Sequence, residues 1–311
     1  MKIIVTGGAG FIGSNLVDEY IKLGHEVAVI DNLSTGSKRN LNAKAKFYEA
    51  DIRSPEIAKI FKTEKPDIVN HHAAQISVPD SVKDPVFDAE VNAVGLLNIL
   101  ENCVKFKVKK VIFISSGGAI YGEAEEYPTT ENYQPIPLSP YAIHKFLGEK
   151  YLKFYNHQYD LDYVVLRYAN VFGPRQNPEG EAGVVSIFIT YLLQNKQTFL
   201  YAYEDNPDGM IRDYVYVKDV VQANVKALDY NKNDAFNIGT GNETTTGELY
   251  RVVSQNMKEN IEQIKSGARP GDIRRSCLNV DKAKTVLGWE SNYSLTEGII
   301  ETIEFFRNKE K

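Results

Sequence analysis

The 311-residue sequence predicts an α/β protein: a doubly wound parallel sheet followed by a smaller C-terminal α/β lobe. Three observations predict it. The chain opens on an apolar run, Lys2-Ile3-Ile4-Val5-Thr6. Glycines follow at Gly7, Gly10 and Gly13, spaced G-x-x-G-x-x-G, and then an amphipathic run with Leu16, Val17, Tyr20 and Ile21 on one face. This reads strand, tight turn, helix. Next, β-branched runs alternate with amphipathic stretches up to Pro174, the pattern of a parallel sheet wrapped by helices. Finally, the length suits two lobes: residues 1–174, with 213–240 expected to return to them, and a second lobe within 175–311.

Each element carries its own reason. A glycine turn at a helix N-terminus lets backbone N–H groups approach a pyrophosphate closely, so the first unit reads as a Rossmann-type dinucleotide site. Gly7, Gly10, Phe11, Ile12 and Gly13 are its candidate contacts. The second apolar run, Val27 to Ile30, ends in Asp31. An acid there suits the ribose hydroxyls of NAD and opposes the extra phosphate of NADP. Lys38 and Arg39 nearby weaken the charge argument, and NAD remains the expected cofactor. Asn32, Ser34, Thr35 and Gly36 form a polar loop suited to the adenosine ribose.

The third strand, Lys46 to Ala50, ends in Asp51 and Ile52. Asp51 either accepts from the adenine amino group or caps a helix starting near Pro55. The fourth strand, Asp67 to Ala74, ends in small residues, Ala73 and Ala74, which let a cofactor pass. His72 reads as a packed histidine rather than a ligand. A helix is expected from Val86 to Val104 and includes Asn92. The fifth strand, Val111 to Ser115, delivers Ser115, Ser116, Gly117 and Gly118 to the carboxyl edge of the sheet, where such folds bind ligands.

The second informative stretch is Ser139-Pro140-Tyr141-Ala142-Ile143-His144-Lys145. Pro140 suits a first helical turn. Tyr141 and Lys145 are four apart and share a helix face. A cation beside a phenol favours phenolate, so Tyr141 is expected to have a lowered pKa and to act as general base.

A net charge of −5 gives no sign of nucleic-acid binding. Cys103 and Cys277 make no metal-ligand spacing, and no metal is expected. No run reaches the length of a membrane span. The opening apolar segment breaks at Gly7, unlike a signal peptide. A cytoplasmic, reduced protein is the expectation.

These residues together resemble the extended short-chain dehydrogenase/reductases that act on nucleotide sugars, most closely the UDP-glucose 4-epimerases. The similarity runs nearly end to end. It rests on the Thr6–Gly13 glycine motif, Asp31-Asn32, Ser115-Ser116 with Tyr121-Gly122, and Tyr141 with Lys145. It continues through Leu166–Val171, Arg212-Asp213-Tyr214, Asn237–Gly241 and Arg269-Pro270-Gly271-Asp272. The resemblance implies catalysis by Ser116, Tyr141 and Lys145, with Tyr168 and Val171 near the nicotinamide. It implies that Asn170, Arg212 and Arg269 grip the diphosphate of a UDP-sugar and Asp272 its ribose. Tyr203 or Tyr201 would contact uracil. Ser276, where some members carry tyrosine, would leave room for an N-acetyl group. A homodimer through the helices near Val86–Val104 and Tyr141–His157 is also implied.

One departure stands out. Ser116 lies five residues before Tyr121, where the family's serine or threonine commonly lies four before. That register gives Gly117; the reading is an extra glycine with Ser116 still catalytic, and Ser115 as the fallback. No acid follows among Gly117, Gly118 and Ala119, unlike the dehydratases and decarboxylating members. UDP-glucuronate epimerisation, a net nucleotide-sugar reductase and a non-enzymatic NAD-sensing scaffold are the alternatives.

Overall fold

The computed structural model describes residues 1–178, 183–268 and 273–309. The first half lays down β1 (Lys2–Thr6), β2 (Glu26–Asp31), β3 (Lys46–Glu49), β4 (Ile68–His71), β5 (Lys110–Ser116) and β6 (Asp162–Tyr168). The short strands β7 (Asn170–Phe172), β8 (Phe199–Ala202), β9 (Ile211–Arg212) and β10 (Tyr214–Tyr216) follow. Then come β11 (Asp234–Ile238), β12 (Thr244–Thr245) and β13 (Ile264–Gly267). Among the described residues, seven parallel strands form one sheet in the order β11-β6-β5-β4-β1-β2-β3. Thr6 pairs with Ile30 on one side and His71 on the other. The strand order therefore reverses at β1/β4, where folds of this kind open a crevice at their carboxyl ends.

Buried on both faces, these strands carry apolar side chains in both directions. Ile3 and Val5 face α1 (Phe11–Lys22) and α9 (Val217–Asp229), with Leu16, Val220 and Trp289. Ile4 and Phe113 face the other layer, made of α2 (Ile57–Glu64), α5 (Gly95–Lys105) and α7 (Pro140–Tyr159), with Phe61, Leu100 and Leu152. A separate core holds α8 (Val184–Leu193), α10 (Thr246–Met257) and α11 (Leu295–Lys309) around Phe172, Tyr216 and Val253. β11 joins the large sheet beside β6, so the chain comes back to it after β10.

One helix differs from the sequence reading. The stretch expected as one helix from Val86 to Val104 is α4 (Pro85–Ala89), a π-turn over Glu90–Val94, and α5, and it is preceded by α3 (Val78–Lys83). β9 and β10 are separated at Asp213, whose buried carboxylate accepts from Thr240 N at 2.8 Å, Thr240 Oγ1 at 2.7 Å and Gly241 N at 3.1 Å. These bonds hold the strand end to the loop after β11. Lys110, the first residue of β5, is buried with its ammonium against three carbonyls at the end of α9. Those of Leu228 and Tyr230 are at 2.7 and 2.8 Å, a favourable place for a cation at a helix C-terminus.

Candidate active site

Gly7 has φ +68°, which an L side chain adopts at a cost, and a Cβ there would lie 2.7 Å from Ala73 N. A Cβ on Gly13 would lie 2.3 Å from Gly7 O. Both glycines are thus required for the turn and for the seating of α1 on it. No side chain caps α1, whose N-cap is Gly10, so its first N–H groups are left to an outside acceptor. Ala73 N donates to Thr6 Oγ1 at 3.2 Å, which keeps the Ala73–Ala74 backbone beside the turn. Asp31 accepts from Ala9 N at 2.9 Å and Leu33 N at 2.8 Å. It orders the loop that contains Asn32, Ser34, Thr35 and Gly36, and each oxygen keeps a second lone pair. A cradle that a Cβ would fill, an uncapped helix start and an acid at the end of β2 together fit a dinucleotide.

Asp51 is not the cap of α2. Arg53 grips both its oxygens at 2.9 Å, Arg53 N donates to it at 2.8 Å, and Asn32 Nδ2 donates at 3.0 Å. This pairing holds its carboxyl down at about 2. The helix starts later, at Ile57. Ile52 is buried under Gly95. Asn92 lies in the π-turn and spends its amide on Gln75 O and Asp88 Oδ2, both at 3.0 Å.

At the other side of the crevice, Ser139 caps α7 by accepting from Ala142 N at 3.2 Å, and Pro140 opens the first turn. The cap fixes where Tyr141 and Lys145 fall. Ser116 lies near enough to Tyr141 to favour its phenolate. Lys145 donates to Ile114 O at 3.0 Å, and its Nζ lies 5.8 Å from the Tyr141 ring centre. The structure corrects the expected lowering of the Tyr141 pKa. Burial pushes this phenol up to about 12, against a lowering influence of Ser116, and the Asp88 carboxylate adds a smaller raising one. Burial also pushes Lys145 down to about 8, with Asp88 opposing. The ammonium is turned to the backbone of β5, and desolvation of the phenol prevails.

Successive residues of β5 point to opposite faces, which separates the two serines. Ser115 Oγ donates to Glu149 at 2.7 Å, inside a buried cluster in which Arg167 holds both Glu149 oxygens at 2.9 and 2.6 Å. Its hydroxyl is committed away from Tyr141. Gly117 packs so closely that a Cβ would lie 2.5 Å from Leu278 Cδ1. The alternative register therefore puts a glycine where any Cβ would require Leu278 to move. A Cβ on the next residue, Gly118, would lie 3.5 Å from Asn170 Oδ1 and 3.9 Å from Ser276 Oγ. Asn170 and Ser276 are thus gathered at the end of β5.

Tyr168 is buried, with its hydroxyl accepting from Asn224 Nδ2 at 2.6 Å and 3.4 Å from His72 Nε2. Burial holds His72 down at about 3, so it is neutral. Val171, in β7, has its carbonyl bonded by Gln176 Nε2 at 3.0 Å. Arg212, in β9, pairs through Thr244. Tyr203 lies just past β8, with the Arg274 guanidinium 3.9 Å from its ring centre, while Tyr201 stacks on Phe199. Arg269 and Asp272 lie outside the described residues. Sequence reading missed Glu149, Arg167, Asp88 and His144. Glu149 shares the Tyr141–Lys145 face four residues on, which was a usable signal; Asp88 looked like part of a solvated helix face. Among the described residues, no group of His, Cys, Asp and Glu could hold a metal, and no helix is long and apolar enough to cross a membrane.

Residues 3–239 match the model of the NAD dependent epimerase/dehydratase family. A UDP-glucose 4-epimerase of Mycolicibacterium smegmatis is 45% identical, with 99% of each chain covered. The crystal structure of UDP-glucose 4-epimerase with UDP-glucose from Thermotoga maritima superposes with a TM-score of 0.97 at 47% identity, over 100% of both chains. The Thermus thermophilus UDP-glucose 4-epimerase complex with NAD gives 0.95 at 44% identity, over 99% of both. With this end-to-end match, and with a glycine cradle facing a Ser116–Tyr141–Lys145 cluster across one crevice, the chain belongs to the NAD-dependent epimerase/dehydratase family.

Proposed function

We propose that the protein is a UDP-glucose 4-epimerase that interconverts UDP-galactose and UDP-glucose through a 4-keto intermediate, with NAD retained between turnovers. The carrying observation is the gathering of Ser116 and Lys145 around the Tyr141 phenol, with no carboxylate among Gly117, Gly118 and Ala119. The dinucleotide unit is residues 1–174 with 213–240, and the rest of 175–311 is the nucleotide-sugar lobe.

The Gly7–Gly13 turn and Asp31 would hold the pyrophosphate and adenosine end, and Ala73, Ala74, Lys145, Tyr168 and Val171 the rest. When bound, NAD supplies a reversible hydride acceptor and a cationic ring. A cation nearby favours phenolate, which is what Tyr141 needs to leave its resting, protonated state. Tyr141 accepts the proton of the sugar 4-hydroxyl as C4 is oxidised, and returns it when C4 is reduced from the opposite face. Ser116 donates to the same oxygen. Lys145, charged below about pH 8, keeps positive potential beside both. Asn170, Arg212 and Arg269 grip the diphosphate, where guanidinium geometry matches phosphate oxygens, and Asp272 the ribose. A firm hold on UDP and a loose one on the sugar lets both faces of the 4-keto sugar be presented.

Ser276 gives the sugar pocket its breadth. It stands close to Gly118, where a small side chain leaves space at C2. The wild-type protein is expected to turn over UDP-N-acetylglucosamine, and Ser276→Tyr to lower kcat/KM for that sugar by about tenfold or more while sparing UDP-galactose. Coupled assays on both sugars check this; equal effects on the two would contradict it.

The protein acts as a homodimer. Val82 on α3, Val86 and Phe87 on α4, and Ile143 and Phe154 on α7 are all exposed, although these helices pack on one another. A contiguous apolar face of this kind marks an interaction surface, and a second copy would cover it as a four-helix bundle. Sedimentation equilibrium should give a dimer that Phe87→Glu dissociates; a wild-type monomer at micromolar concentration would refute it.

The function is tested by incubation with UDP-galactose. UDP-glucose alone supports the epimerase. A shift to UDP-glucuronate turnover, or stoichiometric consumption of NADH, identifies the alternative enzymes; no turnover with tight NAD binding identifies a sensing scaffold.

A further inference from the structure

Asp88 is a carboxylate with 0% exposure that the proton transfer does not use. Donors from three segments converge on it. Gln75 Nε2 reaches Oδ2 at 2.9 Å, Asn92 Nδ2 reaches the same oxygen at 3.0 Å, and His144 Nδ1 bonds Oδ1. Each of these donors is itself tied to the crevice. Gln75 follows Ala73–Ala74 directly, and its backbone is held at both ends by Asn92, N to Oδ1 and O to Nδ2, each at 3.0 Å. His144 immediately precedes Lys145 on α7. Ser81 adds a further tie, accepting from Tyr141 N at 3.2 Å. A buried carboxylate held by three hydrogen bonds fixes geometry more strictly than apolar packing does.

We propose that Asp88 is a positioning residue for the reaction, clamping the catalytic helix through His144 to the Gln75–Asn92 wall of the dinucleotide crevice. The inference rests on the reading of Tyr141 and Lys145 as the reacting pair. The clamp sets the depth of both side chains against the wall that Ala73 and Ala74 form. Its charge acts as well. The anion favours the ammonium of Lys145 and disfavours the phenolate of Tyr141. It therefore shifts both groups in the same direction along the pH axis.

The surrounding titratable groups are few. On α7 they are Tyr141, His144 and Lys145, with Glu149 one turn on and paired to Arg167. At the end of β4 are His71 and His72, both held down at about 3 by burial and hence neutral throughout the working range. Next to Asn92, Glu90 pairs with Arg53 at the surface.

The test compares wild type, Asp88→Asn, His144→Gln and His144→Phe. Asparagine keeps the volume and much of the hydrogen bonding and removes the charge; glutamine keeps a donor at position 144 and phenylalanine does not. For Asp88→Asn, kcat should fall about tenfold with KM for UDP-galactose within about twofold, as expected for a displaced reacting group. Both limbs of its kcat–pH profile should move to lower pH, because the lost anion had raised both pKa values. NAD affinity, read as the fraction of NAD that the purified protein keeps on dialysis, should be weaker in Asp88→Asn and His144→Phe, with His144→Gln restored toward wild type. An Asp88→Asn protein with an unmoved pH profile, wild-type kcat and wild-type NAD affinity would overturn the proposal. Should Asp88→Asn not fold, His144→Phe with wild-type kcat and NAD affinity would overturn it equally. If the wild type itself does not turn over UDP-galactose, the functional reading fails separately, and the NAD affinities still decide whether the clamp holds the crevice wall.

Discussion

Tyr141→Phe is expected to lower kcat for UDP-galactose by about 10²- to 10⁴-fold, the usual contribution of a positioned general acid–base group. The substitution removes one hydroxyl and nothing else. That hydroxyl lies beside Ser116 and, on the proposed mechanism, is the proton acceptor in both directions of the reaction, so no other side chain takes over its task. KM should change little, because the UDP contacts lie elsewhere. Folding should change by no more than about 1 kcal/mol, the scale of one hydroxyl's net hydrogen bonding. Steady-state kinetics with a thermal melt on the same preparation check both halves. Near-normal turnover by a folded Tyr141→Phe protein would remove Tyr141 from the mechanism.

The largest effect on stability is expected at Glu149. Its carboxylate is 4% exposed and holds the 6%-exposed Arg167 guanidinium through two bonds, while also accepting from Ser115. Arg167 extends the cluster to Tyr121 OH at 2.8 Å, which in turn donates to Asn237 Oδ1 at 2.8 Å. The network joins α7 to β5, β6 and β11. Glu149→Ala leaves a buried cation without its partner and should cost about 3–5 kcal/mol of unfolding free energy. The double variant Glu149→Leu with Arg167→Met should cost clearly less, because neither charge is then stranded. Urea denaturation of the three proteins checks the order. If the double variant is the least stable, the penalty is not that of an unpaired charge.

The parts of this molecule written in local pattern were legible in the sequence. The strand–glycine–helix opening, the strand-borne serines and the four-residue spacing of Tyr141 and Lys145 are short-range signals, and each sits where its pattern put it. Long-range packing was not legible. That Ser115 turns to Glu149 and Ser116 to Tyr141 follows from strand alternation only once the face of α7 is known. The pKa of Tyr141 was misread for a related reason. The spacing of a phenol and an amine predicts their attraction but not the depth of burial, and burial prevails here. Asp88 gave no sign because a lone acid near a helix start resembles a solvated or capping residue until three distant donors surround it. The break at Asp213 likewise depends on Thr240 and Gly241, which only the returning β11 brings near.

The most direct test of the central claim is incubation of the purified protein with UDP-galactose, without added cofactor, followed by separation of the sugar nucleotides and a spectrum of the solution. Retained NAD predicts UDP-glucose rising to a fixed equilibrium ratio with no net change in NADH absorbance. No UDP-glucose even after NAD is supplied, or UDP-glucose formed only in step with consumption of added reduced cofactor, would contradict it.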